Sequence, residues 1–125
     1  MTIKEQHALI STYSKVNLDK ICKIFDRFNI KIISTGSTAK YIKNLGYKCQ
    51  SVSSLTKFKE ILDGRVKTLH PKVHASLLYD RKKLSHTKIF NKLNFPSINF
   101  VVVNLYPFEE VVGGNNSKEC IEMID

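Results

Sequence analysis

The chain has 125 residues, 42% of them hydrophobic, which predicts one compact domain with its own core rather than a disordered segment. Its formal net charge is +9, from 20 Lys and Arg against 11 Asp and Glu, which suits an anionic partner such as a phosphorylated metabolite. The lysines are scattered and not interleaved with aromatic residues, so the composition disfavours nucleic-acid binding.

The cysteines Cys22, Cys49 and Cys120 are widely spaced and form no CxxC pair. This spacing argues against a disulfide framework or a zinc site and fits a reducing compartment. The N-terminus lacks the apolar stretch of a signal peptide, and no apolar run is long enough to span a membrane. We therefore expect a cytoplasmic protein without a membrane partner.

The first half of the chain alternates short apolar stretches with amphipathic ones. Residues 6–10 predict a strand, and apolar residues at helical spacing then predict a helix over 17–28 with Asn17 as N-cap. The β-branched stretch 30–34 predicts a second strand. A turn of small residues follows at 34–38.

A second helix is predicted over 38–46, where Gly46 stops it, and a third strand over 47–52. Residues 57–62 predict a short helix. Residues 63–71 predict a loop, because Asp-Gly opens this stretch and proline closes it.

In residues 73–125 the strongest prediction is a strand. Residues 73–79 fit either a strand or a helix, and 85–94 predict a helix capped by Ser85. Residues 98–106 contain three consecutive valines, which predicts a strand covered on both faces. A helix begins at 117–125.

Strand and helix therefore alternate from end to end. This order predicts an α/β fold in a single domain over 1–125, with a mostly parallel twisted sheet and helices on both faces. In such Rossmann-like, three-layer folds, ligands bind at the carboxyl ends of the strands. We expect the loops after strands to carry the chemistry.

The turn at 34–38, Ser-Thr-Gly-Ser-Thr, joins a predicted strand to a helix. Its small residues let the backbone approach an anion, and the first amides of the helix point at it, which is the layout of a phosphate pocket. An ordinary helix cap rich in Ser and Thr is the alternative. Lys15 follows the first strand and would reach an anion held there, unless it is simply a solvated lysine.

The loop at 64–71 brings together two cations, Arg65 and Lys67, which alternation in an extended stretch would point the same way. They would stabilise negative charge, or else form a basic surface loop. His70 and His74 are spaced like metal ligands, but the glutamate of HExxH is missing and a proline interrupts the helix, so we expect no metal.

The stretch 104–108, Asn-Leu-Tyr-Pro-Phe, ends the strongest predicted strand. Asn104 has an amide that would bind a carboxamide edge, and Tyr106 offers a phenol as donor. No Ser-His-acid arrangement and no GxGxxG loop can be identified.

Four stretches carry a resemblance to a known family: ALIST, IKIISTGSTAKYIKNLG, FKEILDGRVKTLHPKVHASLL and NFVVVNLYPFEEVV. In this order and spacing they resemble the N-terminal, methylglyoxal-synthase-like domain of the bifunctional AICAR transformylase/IMP cyclohydrolase. The resemblance implies an enzyme of purine biosynthesis, an IMP cyclohydrolase, that closes FAICAR to IMP with loss of water and without metal or organic cofactor. The resemblance is compatible with a homodimer but does not decide the oligomeric state.

The resemblance also implies roles for individual residues. The phosphate and ribose would be held by Ser11, Lys15, Thr35, Gly36 and Thr38, and the base by Arg65, Thr68 and Asn104. Lys67 would polarise the formyl oxygen, Tyr106 would assist proton transfer, and Asp125 would orient or deprotonate the carboxamide.

This chain departs from the family pattern at Ser37, where a glycine is usual, at Tyr13-Ser14, where Ser-Asp is usual, and at Ala75-Ser76. We also expect a truncated chain, because family members continue into a Gly-Gly-Pro loop, a further lysine and a transformylase domain, and hence weak turnover. Two alternatives share the fold: a methylglyoxal synthase, for which no convincing catalytic acid is visible, and a regulatory nucleotide-binding module.

Overall fold

The computed structural model describes residues 5–62 and 66–104. Predictions that involve Arg65, Tyr106, Asp125, Cys120 and the helix at 117–125 lie outside this part. The elements are β1 (Gln6–Ser11), α1 (Leu18–Arg27), β2 (Lys31–Ser34), α2 (Gly36–Asn44), β3 (Gln50–Ser51), α3 (Val52–Thr56), α4 (Pro71–Leu78), α5 (Leu84–Leu93) and β4 (Ser97–Val103).

The four strands form one parallel sheet in the order β3-β2-β1-β4. Strand β1 is central: Leu9 pairs with Ile33 of β2 on one side and with Val101 of β4 on the other. The chain moves from β1 outward to β2 and β3 and later returns to the opposite side of β1 as β4. The predicted α/β fold with a parallel sheet is thereby confirmed.

Alternate side chains of the strands contribute to two separate hydrophobic cores, one on each face of the sheet. On one face, Ala8 and Ile10 pack with buried residues of α1 and with Ile42 of α2. On the other face, Leu9 and Ile33 pack with residues of α3, α4 and β4, including Val73. Because successive side chains of a strand point to opposite faces, one short apolar strand supplies both cores, and the predicted three-layer arrangement is confirmed.

The predicted helix at 57–62 is wrong, because the helix forms earlier as α3. The hydroxyl of Ser51 caps it by accepting a hydrogen bond from the Ser54 amide at 3.1 Å, and Val52 is buried at its start. The third strand is therefore shorter than predicted. Ile61 instead makes an antiparallel bridge with Val66.

Residues 73–79, left open by the sequence, form most of helix α4. Pro71 is its first residue, and the Nδ1 atom of His70 accepts a hydrogen bond from the Lys72 amide at 3.1 Å. His70 thus caps the start of α4 through its side chain. Helix α5 begins at Leu84 with Lys83 as N-cap, so the prediction of Ser85 as cap is wrong.

Strand β4 is only partly covered, contrary to the prediction. Its amino end is buried at Ser97 and Ile98. There the Tyr79 and Ser97 hydroxyls share a hydrogen bond, and the Arg81 guanidinium donates to the Ile98 carbonyl. Its carboxyl half is open, with Val103 60% exposed. Among the described residues β4 is also an edge strand of the sheet. No helix in this part of the chain is long and apolar enough to cross a membrane.

Candidate functional site

The carboxyl ends of β1 and β2 meet side by side. Ser11 Oγ lies 3.1 Å from Thr35 Oγ1, and the buried hydroxyl of Ser34 donates to the Ile10 carbonyl at 2.6 Å. These bonds tie the two strand ends together. Because β4 lies on the other side of β1, the strand order reverses between β1 and β4, next to these strand ends. The carboxyl edge of the sheet at such a reversal is the usual ligand position in open α/β sheets.

Helix α2 begins directly at this strand end. Its N-cap, Thr35, makes no side-chain capping hydrogen bond, since its hydroxyl is paired with Ser11 instead. The first residue, Gly36, has φ of +40°, a conformation that favours glycine. The helix therefore presents its positive end next to two hydroxyls, as the sequence predicted for an anion pocket.

Lys15 reaches this helix start, as expected from the pairing of the first two strands. Its Nζ donates to Thr38 Oγ1 at 3.0 Å and to the Thr12 carbonyl at 2.5 Å. Partial burial, followed by the positive charge of Lys67, lowers the pKa of Lys15. Two ammonium groups thus face one small region, a repulsive arrangement that a bound anion would relieve.

A cavity of about 420 Å³ connects these groups. Its lining residues come from the β1 and β2 ends and from one distant segment: Ser11, Thr12, Tyr13, Lys15, Thr35, Gly36, Ser37, Thr38, Glu60 and Lys67. A neighbouring cavity of about 400 Å³ shares Thr35, Gly36, Glu60 and Lys67. Five predicted phosphate ligands and Lys67 are therefore placed around one space.

A larger cavity of about 710 Å³ lies elsewhere, at the amino ends of the strands beside His7, Lys31 and Gln50. The pKa of His7 there is lowered, chiefly by burial, although its ring lies 3.2 Å from the Ser97 carbonyl. This edge is opposite to the one where parallel sheets bind ligands. We therefore assign the candidate site to the smaller cavity.

The antiparallel bridge between Ile61 and Val66 positions Lys67 beside the cavity. The Ile61 amide donates to the Val66 carbonyl at 3.1 Å, and the Val66 amide donates back at 3.3 Å. In antiparallel register the next pair outward is Glu60 and Lys67. Sequence reasoning missed Glu60 because it was assigned to a helix; the available signal was an acid that follows two lysines in the stretch 57–60.

Asn104 stands at the carboxyl end of β4 and contacts the loop after β1. Its Oδ1 accepts hydrogen bonds from the amides of Tyr13 at 2.6 Å and Ser14 at 3.2 Å, and its Nδ2 donates to the Ser14 carbonyl at 3.0 Å. The sequence located this residue correctly, but here its amide holds the loop. A contact with the base stays a prediction.

Thr68 lines neither of the two cavities at the start of α2. Its carbonyl accepts a hydrogen bond from the His70 amide at 2.8 Å. Thr12 Oγ1 is buried and has no hydrogen-bond partner among the described residues. Residues 5–62 and 66–104 contain no cluster of three His, Cys, Asp or Glu suited to a metal ion.

Comparisons with known proteins agree with this fold. The family model of the MGS-like domain matches residues 17–125. The bifunctional purine biosynthesis protein PurH of Cutibacterium acnes is 47% identical over 121 residues, and that of Mycobacterium leprae is 46% identical. In both cases the match covers 96% of this chain but 23% of the relative, so the chain spans about a quarter of their length.

Among solved structures, the crystal structure of ForH superposes with a TM-score of 0.73 at 23% identity, over 82% of this chain and 54% of that one. At this identity the likeness concerns the fold alone. The family match over residues 17–125 shows that the chain belongs to the family of MGS-like domains.

Proposed function

We propose that this domain serves purine biosynthesis by binding FAICAR and closing its second ring to give IMP. One observation carries the proposal: Ser11, Lys15, Thr35, Thr38 and Lys67 line a single cavity at the start of α2. The PurH relatives support the assignment to purine biosynthesis. Residues 1–125 would form one domain for this task.

The phosphate end of the nucleotide would bind at the start of α2. Uncapped helix amides, the Ser11 and Thr35 hydroxyls and the Lys15 ammonium are the groups that hold phosphate in proteins. Gly36 has no side chain to keep the phosphate away from the backbone. A bound dianion would raise the lowered pKa of Lys15, because it favours the charged ammonium.

The base would then extend toward Lys67. In the proposed reaction the carboxamide nitrogen attacks the formyl carbon of the same molecule, and the tetrahedral centre loses water. Because the reacting groups are already tethered, holding them in a near-attack pose supplies much of the acceleration. Lys67 would stabilise the developing oxyanion.

The remaining roles rest on the family resemblance. Arg65, Thr68 and Asn104 would orient the base, Tyr106 would assist proton transfer, and Asp125 would orient or deprotonate the carboxamide. No metal or organic cofactor takes part in this scheme. We propose a cytoplasmic location, since Cys22 and Cys49 are free thiols, as a reducing compartment keeps them.

Calorimetry with IMP and with inosine tests the proposal, because inosine lacks the phosphate. We expect IMP to bind at least tenfold more tightly than inosine, and Lys15→Ala to remove most of that difference. Lys92→Ala, which changes a lysine of α5, is the matched control and should bind like the parent chain. Equal affinity for the two ligands would contradict the assignment.

Turnover is tested by following FAICAR cyclisation spectrophotometrically. Any rate above the uncatalysed one should fall at least a hundredfold in Lys67→Ala, the size expected for losing an oxyanion-stabilising donor. Dihydroxyacetone phosphate should yield no methylglyoxal. Methylglyoxal release would instead favour the synthase alternative.

A further inference from the structure

The carboxylate of Glu60 lies against the first residue of helix α2. A Cβ built on Gly36 would stand 3.3 Å from Glu60 Oε2 and 3.7 Å from Oε1. A side chain at position 36 would press on the carboxylate, which would have to shift by a few tenths of an ångström. The position beside an uncapped helix start is one that anions favour, because the helix dipole is positive there.

Glu60 is also out of keeping with the charge around it. It lines both cavities at this helix start, and the other charged residues that line them are lysines: Lys15, Lys40, Lys43, Lys59 and Lys67. A ligand phosphate entering either cavity would meet these cations together with one carboxylate. The carboxylate therefore opposes the anion that the other groups attract.

The segment that carries Glu60 is exposed at the surface and contains two strained backbone positions. Lys57 and Leu62 have φ of 60° and 56°, a left-handed conformation that is uncommon for residues with side chains. Between them Phe58 and Glu60 lie outside helices and strands, and both are exposed. The exposed Glu60 side chain can thus leave the helix start by rotating about its own bonds, without unpacking a core.

We propose that Glu60 is an autoinhibitory contact: its carboxylate occupies the anion-binding start of α2, and the phosphate of a ligand must displace it. The proposal rests on the proposed function, which makes this helix start a phosphate site. Glu60 then lowers the affinity for every phosphorylated ligand by the same factor, because it competes for the phosphate position and not for the base.

Calorimetric titration of the chain with inorganic phosphate and with IMP tests this competition. We expect Glu60→Gln to bind inorganic phosphate about fivefold to tenfold more tightly, the factor for removing one unit charge at contact distance in a water-like medium. The affinity for IMP should rise by the same factor. Glu5→Gln removes the same charge beside the cavity at the amino ends of the strands and should change neither affinity.

Each other outcome has a defined meaning. Phosphate affinity that is unchanged or weaker in Glu60→Gln would overturn the proposal, and a lower melting temperature with unchanged binding would assign Glu60 to stabilising the helix start instead. Tighter phosphate binding with IMP no tighter than phosphate would support the role of Glu60 and refute the nucleotide function. Failure of both proteins to bind phosphate or IMP would refute both proposals.

Discussion

At the level of single residues, the Thr12 hydroxyl lowers stability beside the candidate site. Its Oγ1 is buried without a hydrogen-bond partner among the described residues, whereas its amide and carbonyl are both bonded to the Thr38 hydroxyl. Burying an unpaired hydroxyl costs about 1–3 kcal/mol. The hydroxyl of Thr12 thus works against folding, and that of Thr38 supports it.

We predict that Thr12→Val raises the free energy of unfolding by about 1 kcal/mol, because valine has the same shape without the unpaired hydroxyl. Urea denaturation measures this. Thr38→Val is the matched control and should lower stability by about 1–3 kcal/mol, since Thr38 bonds to Thr12 and Lys15. A Thr12→Val protein less stable than the parent would contradict this account.

Lys15 predicts a pH dependence of phosphate binding. Burial and Lys67 lower its pKa, so the free domain loses this positive charge at a lower pH than an ordinary lysine would. Phosphate affinity should therefore fall as pH rises through that lowered pKa, below 10.5, and binding in that range should take up protons. Calorimetry in buffers of different ionisation enthalpy detects the uptake. Affinity that stays constant up to pH 10.5 would argue against a role for Lys15.

The lowered pKa of Lys15 makes the free energy of unfolding rise with pH, whereas the phosphate affinity falls with pH. A lysine whose folded pKa lies below its unfolded pKa holds its proton less well in the folded chain. The associated cost is present at neutral pH and disappears as pH rises through the folded pKa to the unfolded value. This contribution alone makes the domain more stable at alkaline pH, whereas ligand binding weakens there.

At the scale of elements, the start of α2 depends on one glycine. Gly36 combines a φ of +40° with the carboxylate of Glu60 at its open side. We predict that Gly36→Ala lowers the free energy of unfolding by about 1–2 kcal/mol and weakens phosphate binding, because the new Cβ stands where the anion approaches.

Gly46→Ala separates the two effects. Gly46 has φ of +96°, but a Cβ there would meet nothing within 4 Å. Its replacement should destabilise the domain through backbone strain alone and leave phosphate affinity unchanged. Thermal melting measures the stability of both variants, and calorimetry measures their phosphate affinity. Equal phosphate affinity in the two variants would show that Gly36 takes no part in phosphate binding.

The end of β4 holds the loop after β1 through Asn104. We predict that Asn104→Ala lowers IMP affinity about tenfold, because Tyr13 and Ser14 lose three hydrogen bonds that place this loop beside the cavity. Asn99→Ala is the control on the same strand, since Asn99 accepts from the His7 amide near the opposite end. Similar losses in both variants would indicate a general effect on β4.

For the whole molecule, the central strands should carry most of the stability. Ile33 is completely buried, whereas Val101 on the edge strand is 50% exposed. We predict that Ile33→Ala costs about 2–5 kcal/mol and Val101→Ala less than about 1.5 kcal/mol, because only the first leaves a cavity. Denaturant unfolding measures both. A larger loss at Val101 would mean that β4 is covered in solution.

Much of the local structure followed from the order of residues. Spacing of apolar residues predicted α1, a short apolar stretch predicted β1 and a β-branched stretch predicted β2, because these patterns are properties of the local sequence. The prediction failed for α3, where a serine cap and one buried valine outweighed the helical pattern further on. It failed also for the exposed half of β4, since covering depends on neighbours far away in the chain.

The sequence by itself determined the alternation of strands and helices, the small-residue start of α2 and the family to which the domain belongs, because motif and periodicity are local properties. The tertiary structure alone decided that Glu60 lies on Gly36 and that Asn104 holds the loop after β1. Those pairs are separated widely in the chain, and what joins them is the order of strands in the sheet and the bridge of Ile61 with Val66. Sequence spacing carries no record of such contacts, because they arise only when the buried faces of separate elements pack together.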